Sequence, residues 1–225
     1  MKLSRHDVSS TGGNYPHFRS QEGESMIPIT LEGLINRLEE EEPNAITKVM
    51  AFMSYNPSIG RALEKGGVDK FQSMVLAKVH ALPQIMNQDQ FNKFHNLWMQ
   101  QFMAQIKDAR GGHCSVGQAQ KAINVFLKLY VDWAKLPDQT TAERLDHFLH
   151  VPLDRIMMTN VKELFPDFFE TQISPLRNGN YTHSLSRMER REYKAWQNFF
   201  RGSHPPRPIL FDIIWALNRR NGGGA

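Results

Sequence analysis

From residue 30 onward, apolar side chains recur at three- and four-residue intervals in block after block, and no run alternates long enough to make a strand. Leu31, Leu34, Ile35 and Leu38 form one such face. Phe71, Val75, Leu76 and Val79 form a second, and Phe91, Phe94, Trp98, Phe102 and Ile106 a third. Pro43, Gly66-Gly67, Pro83, Gly111-Gly112, Pro137, Pro152, Pro166 and the stretch 202–208 punctuate these blocks. Helices are expected over 30–42 (closed by Pro43), 45–55, 57–65, 68–82, 89–108, 115–129 and 141–150. Others are expected to open at Asp154, to cover 160–169, to run from Ser184 or Ser186 to 200, and to span 209–218. The chain therefore reads as all-α, and about ten helices on short connectors suit a two-lobed bundle better than a four-helix one. No period of 20–50 residues repeats.

Residues 1–25 are polar and read as a flexible tail, with Tyr15, His17, Phe18 and Arg19 offering the alternative of a contact arm. Residues 26–220 read as a single two-lobed helical domain with a hairpin near 108–120, and the Gly-rich 221–225 as a second flexible tail. A 40% hydrophobic content can build a real core. The single cysteine, Cys114, excludes an internal disulfide framework and fits a reducing, cytoplasmic compartment. No apolar run approaches membrane-spanning length and the N-terminus lacks a signal-peptide core, so no membrane partner is expected. From Arg187 onward eight Lys/Arg stand against three Asp/Glu, an excess larger than the net +4 of the whole chain. Tyr193, Trp196, Phe199 and Phe200 are interleaved there. Two readings stay open: a nucleic-acid surface, or core aromatics beneath a solvated basic face.

The stretch from Ser115 to Leu129 carries the chemistry. Ser115 can cap a helix whose Ile123, Phe126, Leu127 and Tyr130 face a core. Lys121 and Lys128 are two turns apart, on about the same side. Arg110-Gly111-Gly112-His113 precedes this helix as a turn, and Val151-Pro152-Leu153-Asp154 follows 33 residues after Lys121. A lysine becomes nucleophilic only when burial or a neighbouring cation, here Lys128, frees its lone pair. A carboxylate on a rigid turn could shuttle the proton or stabilise positive charge developing on a sugar. On spacing alone, a surface lysine and a helix-capping aspartate explain the pair as well.

Gln120-Lys121-Ala122-Ile123, with Lys128 beyond it, resembles the catalytic helix of the archaeal-type 8-oxoguanine DNA glycosylases, a branch of the helix-hairpin-helix glycosylase superfamily. Val151-Pro152-Leu153-Asp154 resembles that family's Pro-x-Asp turn. Pro205-Pro206, Leu210, Asp212, Ile214 and Trp215 resemble its terminal pattern. The likeness covers roughly Arg110 to Asn218. It implies a two-lobed helix-hairpin-helix glycosylase-like fold and a bifunctional enzyme, a DNA glycosylase and AP β-lyase. Lys121 would attack the sugar C1′ and form a Schiff base, with Asp154 assisting. Lys128, Asp212, Trp215 and Phe126 would line the pocket for a base flipped out of duplex DNA. Arg110, Gly111, Gly112, Gly117 and Gln120 would lie on the DNA, with backbone N–H groups gripping a phosphate. Asp212 and Trp215 are three apart here and four apart in the family, and Val125 stands where the family carries an aromatic, so the excised base can be 8-oxoguanine or another modified base.

The expected partner is double-stranded DNA with an altered base, bound by a monomer; no cofactor and no metal are implied. Cys114 beside His113 is a lesser nucleophile candidate, and His147 with His150 lack a third metal ligand. The alternatives are a non-catalytic helical DNA-binding protein, such as a sensor or phage-defence component, and a helical scaffold that contacts only proteins.

Overall fold

The structure is a computed structural model that describes residues 31–177 and 184–213. The chain divides into two compact units, residues 1–40 and 41–225. Both expected tails and the arm residues Tyr15, His17, Phe18 and Arg19 lie outside the described residues, as does Trp215.

The described residues are helical and contain no β-strand; only two isolated bridges, Leu63 to Asp108 and Lys107 to His113, pair extended backbone. In order, the helices are α1 (Leu31–Tyr55), α2 (Gly67–Val79), α3 (Gln88–Gln105), α4 (Val116–Leu127), α5 (Gln139–Asp146), α6 (Arg155–Leu164), the single turn α7 (Pro166–Phe168) and α8 (Arg190–Ser203). Pro43 does not end its helix: α1 runs through it. Proline forfeits its own N–H bond to the preceding turn, but the following turns are held by packing, with Thr47, Ala51, Ser54 and Tyr55 buried at helical spacing. The helix expected over 57–65 shrinks to one 3₁₀ turn, Gly60–Ala62. Ser184 and Ser186 do not cap α8; they flank and join the 3₁₀ turn Leu185–Arg187, and α8 begins after Glu189. Of the last expected helix, residues 210–213 are described and helical.

Helix α4 is the centre of its unit. Ten of its twelve residues are buried, so it is enclosed on all sides and not merely along one apolar stripe. Phe126 sits edge-on to Phe71 and Trp98 and stacked on Tyr130. Ser115 caps the helix as expected, in a reciprocal box: its hydroxyl accepts from the Gln118 N–H, and the Gln118 side chain accepts from the Ser115 N–H. Beyond Leu127 the coil widens into a π-helical stretch, Lys128–Trp133, closed by Ala134 N–H donating to the Leu129 carbonyl.

Candidate active site

Helix α3, the turn from 106 to 115 and α4 deliver Lys121 to the interior, where it is 8% exposed. Its Nζ donates to Asp154 Oδ2 at 3.3 Å. Asp154 has two roles at once. Its other oxygen, Oδ1, accepts from the Met157 N–H at 2.8 Å and caps α6. The capping aspartate and the lysine partner are therefore one residue, and the two readings open in the sequence do not compete.

The turn that carries Asp154 is held by side-chain amides. Gln120 Oε1 accepts from the Leu153 N–H at 3.1 Å and its Nε2 donates to the Leu153 carbonyl at 3.1 Å, as a neighbouring strand would. Gln197 of α8 does the same at Val151, both bonds at 2.9 Å. Asn124 completes the clamp by donating to Gln120 Oε1, Val151 O and Tyr193 Oη. The chain continues in one direction: Tyr193 O–H donates to His150 Nδ1, and His150 Nε2–H donates to Asn92 Oδ1. His95 Nε2–H donates to Asn124 Oδ1 at 2.6 Å, leaving its Nδ1 without a partner. Burial pushes the His95 imidazole down to about 4 and the His150 imidazole well below its usual range. Both are thus neutral at pH 7, as those bonds require.

Two turns along from Lys121, Lys128 makes an ion pair with Asp212. The Lys128 ammonium also lies over the Trp133 ring, 4.9 Å from its centroid. Five residues span 140° of an α-helix, which would set these two side chains apart; the π-helical stretch brings them to one side. Trp133 is 59% exposed and was not among the residues singled out from sequence.

Three expected site residues are placed otherwise. Phe126 is fully buried among Phe71, Trp98 and Tyr130 and has no face to offer a base. Gln120 is fully buried and spends its amide on Leu153 and Gly117, not on DNA. Gly117 is buried against the 185–187 turn: a Cβ there would strike the Leu185 carbonyl oxygen and stand 2.8 Å from Met188 Cβ. Its lack of a side chain serves close packing, reinforced by Ser115 Oγ donating to Leu185 O at 2.8 Å.

Arg110, Gly111 and Gly112 are exposed on the hairpin, with Gly111 at φ +82°. Their N–H groups are already engaged. Asp108 Oδ1 accepts from Arg110 N and Gly112 N, and the Asp108 carbonyl accepts from Gly111 N. A phosphate at this turn would meet the Arg110 side chain, not a row of free amides.

Of the aromatics interleaved in the basic segment, Tyr193, Trp196 and Phe200 are buried, and Phe199 is half-buried against the core. Cys114 is buried, and its thiol is pushed up to about 12 by desolvation, which removes it as a nucleophile. His150 uses both ring nitrogens, and among the described residues no cluster of three His, Cys, Asp or Glu could hold a metal. No helix among them is long and apolar enough to cross a membrane.

No family model matches this chain, and no curated protein or solved structure matches it either.

Proposed function

We propose that the protein is a helix-hairpin-helix DNA glycosylase with AP β-lyase activity, acting on duplex DNA that carries a damaged or modified base. The observation that carries this reading is the pair formed by the buried Lys121 and the half-buried Asp154, their charged atoms 3.3 Å apart. Asp154 can take a proton from the ammonium, and the freed lone pair of Nζ attacks C1′ of a nucleotide extruded from the stack. The N–C1′ bond forms as the glycosidic bond breaks, and the base leaves with that bond's electrons and gains a proton. Ring opening gives a Schiff base between Nζ and C1′. Loss of a C2′ proton then expels the 3′ phosphate. In this reading the Lys128–Asp212 pair offers a donor and an acceptor to the polar edge of the base, and Trp133 a stacking face.

Borohydride trapping tests it. Duplexes carrying a panel of altered bases are incubated with the protein and the reductant, and a covalent adduct is expected on at least one. Lys121→Gln abolishes the adduct while the far-ultraviolet circular dichroism is unchanged. Trapping that survives this change removes Lys121 from the chemistry. Salt-dependent duplex binding with no base release from any duplex would favour the non-catalytic DNA-binding alternative instead.

A further inference from the structure

Beside His150, α3 and α8 border a recess of about 330 Å³, lined among others by Asn92, Asn96, Arg190, Lys194 and Arg201. Three cations border it and no carboxylate does. Arg190 and Lys194 are exposed at its rim, and Arg190 donates to Asn96 Oδ1 at 2.8 Å. Arg201 differs: it is half-buried, and among the described residues its guanidinium has no hydrogen-bond or ion-pair partner. Its Nε is sealed from solvent with nothing to donate to. Desolvation holds its pKa below the usual arginine range. Among the described residues the other half-buried arginines have partners: Arg177 pairs with Glu192, Arg207 with Asp132, although its Nε is likewise left without an acceptor, and Arg144 donates to the Ile85 and Pro83 carbonyls.

A desolvated cation without a counter-charge is costly, and an anion bound in the recess would supply the missing charge. The guanidinium fork matches the oxygens of a phosphate. The volume falls at the low end of that seen for small-molecule sites, and the Asn92, Asn96 and Asn198 amides can meet the remaining polar groups of such a ligand.

We propose that this recess is a second binding site, which takes a small phosphate-bearing ligand with its phosphate seated on Arg201 and flanked by Arg190 and Lys194. The site does not depend on the lysine chemistry proposed above. A diester in a duplex stays at a protein surface, whereas the three cations line a concave recess of about 330 Å³, which favours a free phosphomonoester over DNA.

The test is calorimetric titration of the full chain in chloride buffer with inorganic phosphate, adenosine 5′-monophosphate and adenosine. Phosphate or the monophosphate binds and adenosine does not; tighter binding of the monophosphate identifies an organic ligand, and equal binding a simple anion. Arg201→Gln weakens binding at least about tenfold, the scale of one charge-assisted bond. Arg190→Gln, at an exposed position, weakens it less. Arg201→Met leaves the urea midpoint in phosphate-free buffer unchanged or raised, since no internal partner is lost. The proposal is overturned if neither phosphate compound binds, if Arg201→Gln binds as well as the parent, or if Arg201→Met lowers the midpoint. It is equally overturned if Arg201→Gln weakens duplex binding while free phosphates do not bind, because the recess then belongs to a nucleic-acid surface.

Discussion

Gln120→Leu is the sharpest probe of how the candidate acid is held. The substitution keeps nearly the same volume and leaves α4 intact, but strips both bonds from the fully buried Leu153 backbone. Asn124 keeps Val151 O and Tyr193 Oη as acceptors, so the loss is concentrated on one N–H and one C=O. Each buried backbone group left unpaired costs about 1–3 kcal/mol. The sum, roughly 2–6 kcal/mol, is partly offset by the apolar leucine, and about 3 kcal/mol is expected. That is a large share of the roughly 5–15 kcal/mol by which a domain is stable. Urea denaturation followed by tryptophan fluorescence reads it as a lower midpoint at unchanged slope. The trapping rate, measured well below the melting temperature, falls too, because Asp154 is the next residue after the released Leu153. A change below about 1 kcal/mol would refute the clamp, since two unpaired buried groups cannot cost so little.

Three further outcomes follow from the same geometry. Gly117→Ala forces the 185–187 turn away from α4 and lowers the urea midpoint by the equivalent of about 1–3 kcal/mol, the usual cost of overpacking; an unchanged midpoint would mean the turn yields freely. Stability falls as pH drops from about 6.5 toward 4, because the unfolded chain binds protons at His95 that the folded chain refuses until its imidazole reaches about 4. His150 acts in the same direction, each imidazole contributing up to roughly 1.4 kcal/mol per pH unit, and urea midpoints at pH 7, 6 and 5 that coincide would contradict this. Cys114 stays unmodified by maleimide in the native protein at pH 7.5 (about the usual labelling pH) and reacts once urea unfolds it, given that burial pushes its thiol to about 12; rapid native labelling would place it at the surface.

The local signals were readable. Ser115 followed three residues later by Gln118 is a helix start by composition alone, and Asp154 after Pro152 is another; both cap as expected. What sequence did not disclose depends on distant packing. Gly117 reads as a phosphate-facing glycine until the Leu185 carbonyl, 68 residues away, is found against it. Gln120 reads as a DNA contact, and nothing in the sequence marks Asn124 or Gln197, because only burial reveals that they bond backbone. Trp133 escaped notice because its approach to Lys128 needs π-helical winding, which no periodicity of 3.6 foretells. One missed feature did have a local signature. Asp108 accepts from residues two and four beyond it, the habit of an aspartate opening a turn, and so occupies the amides that the hairpin glycines were expected to offer.

The carboxylate beside Lys121 is located by primary amides and peptide groups, none of which changes charge in ordinary solvents. Raising the ionic strength screens attraction between ions but leaves such neutral pairing in place. Conditions that strip a basic protein from a polyanion should therefore leave the acid and the amine still facing one another. Under the proposed function, release from a nucleic acid and separation of Lys121 from Asp154 are distinct events, governed by different forces.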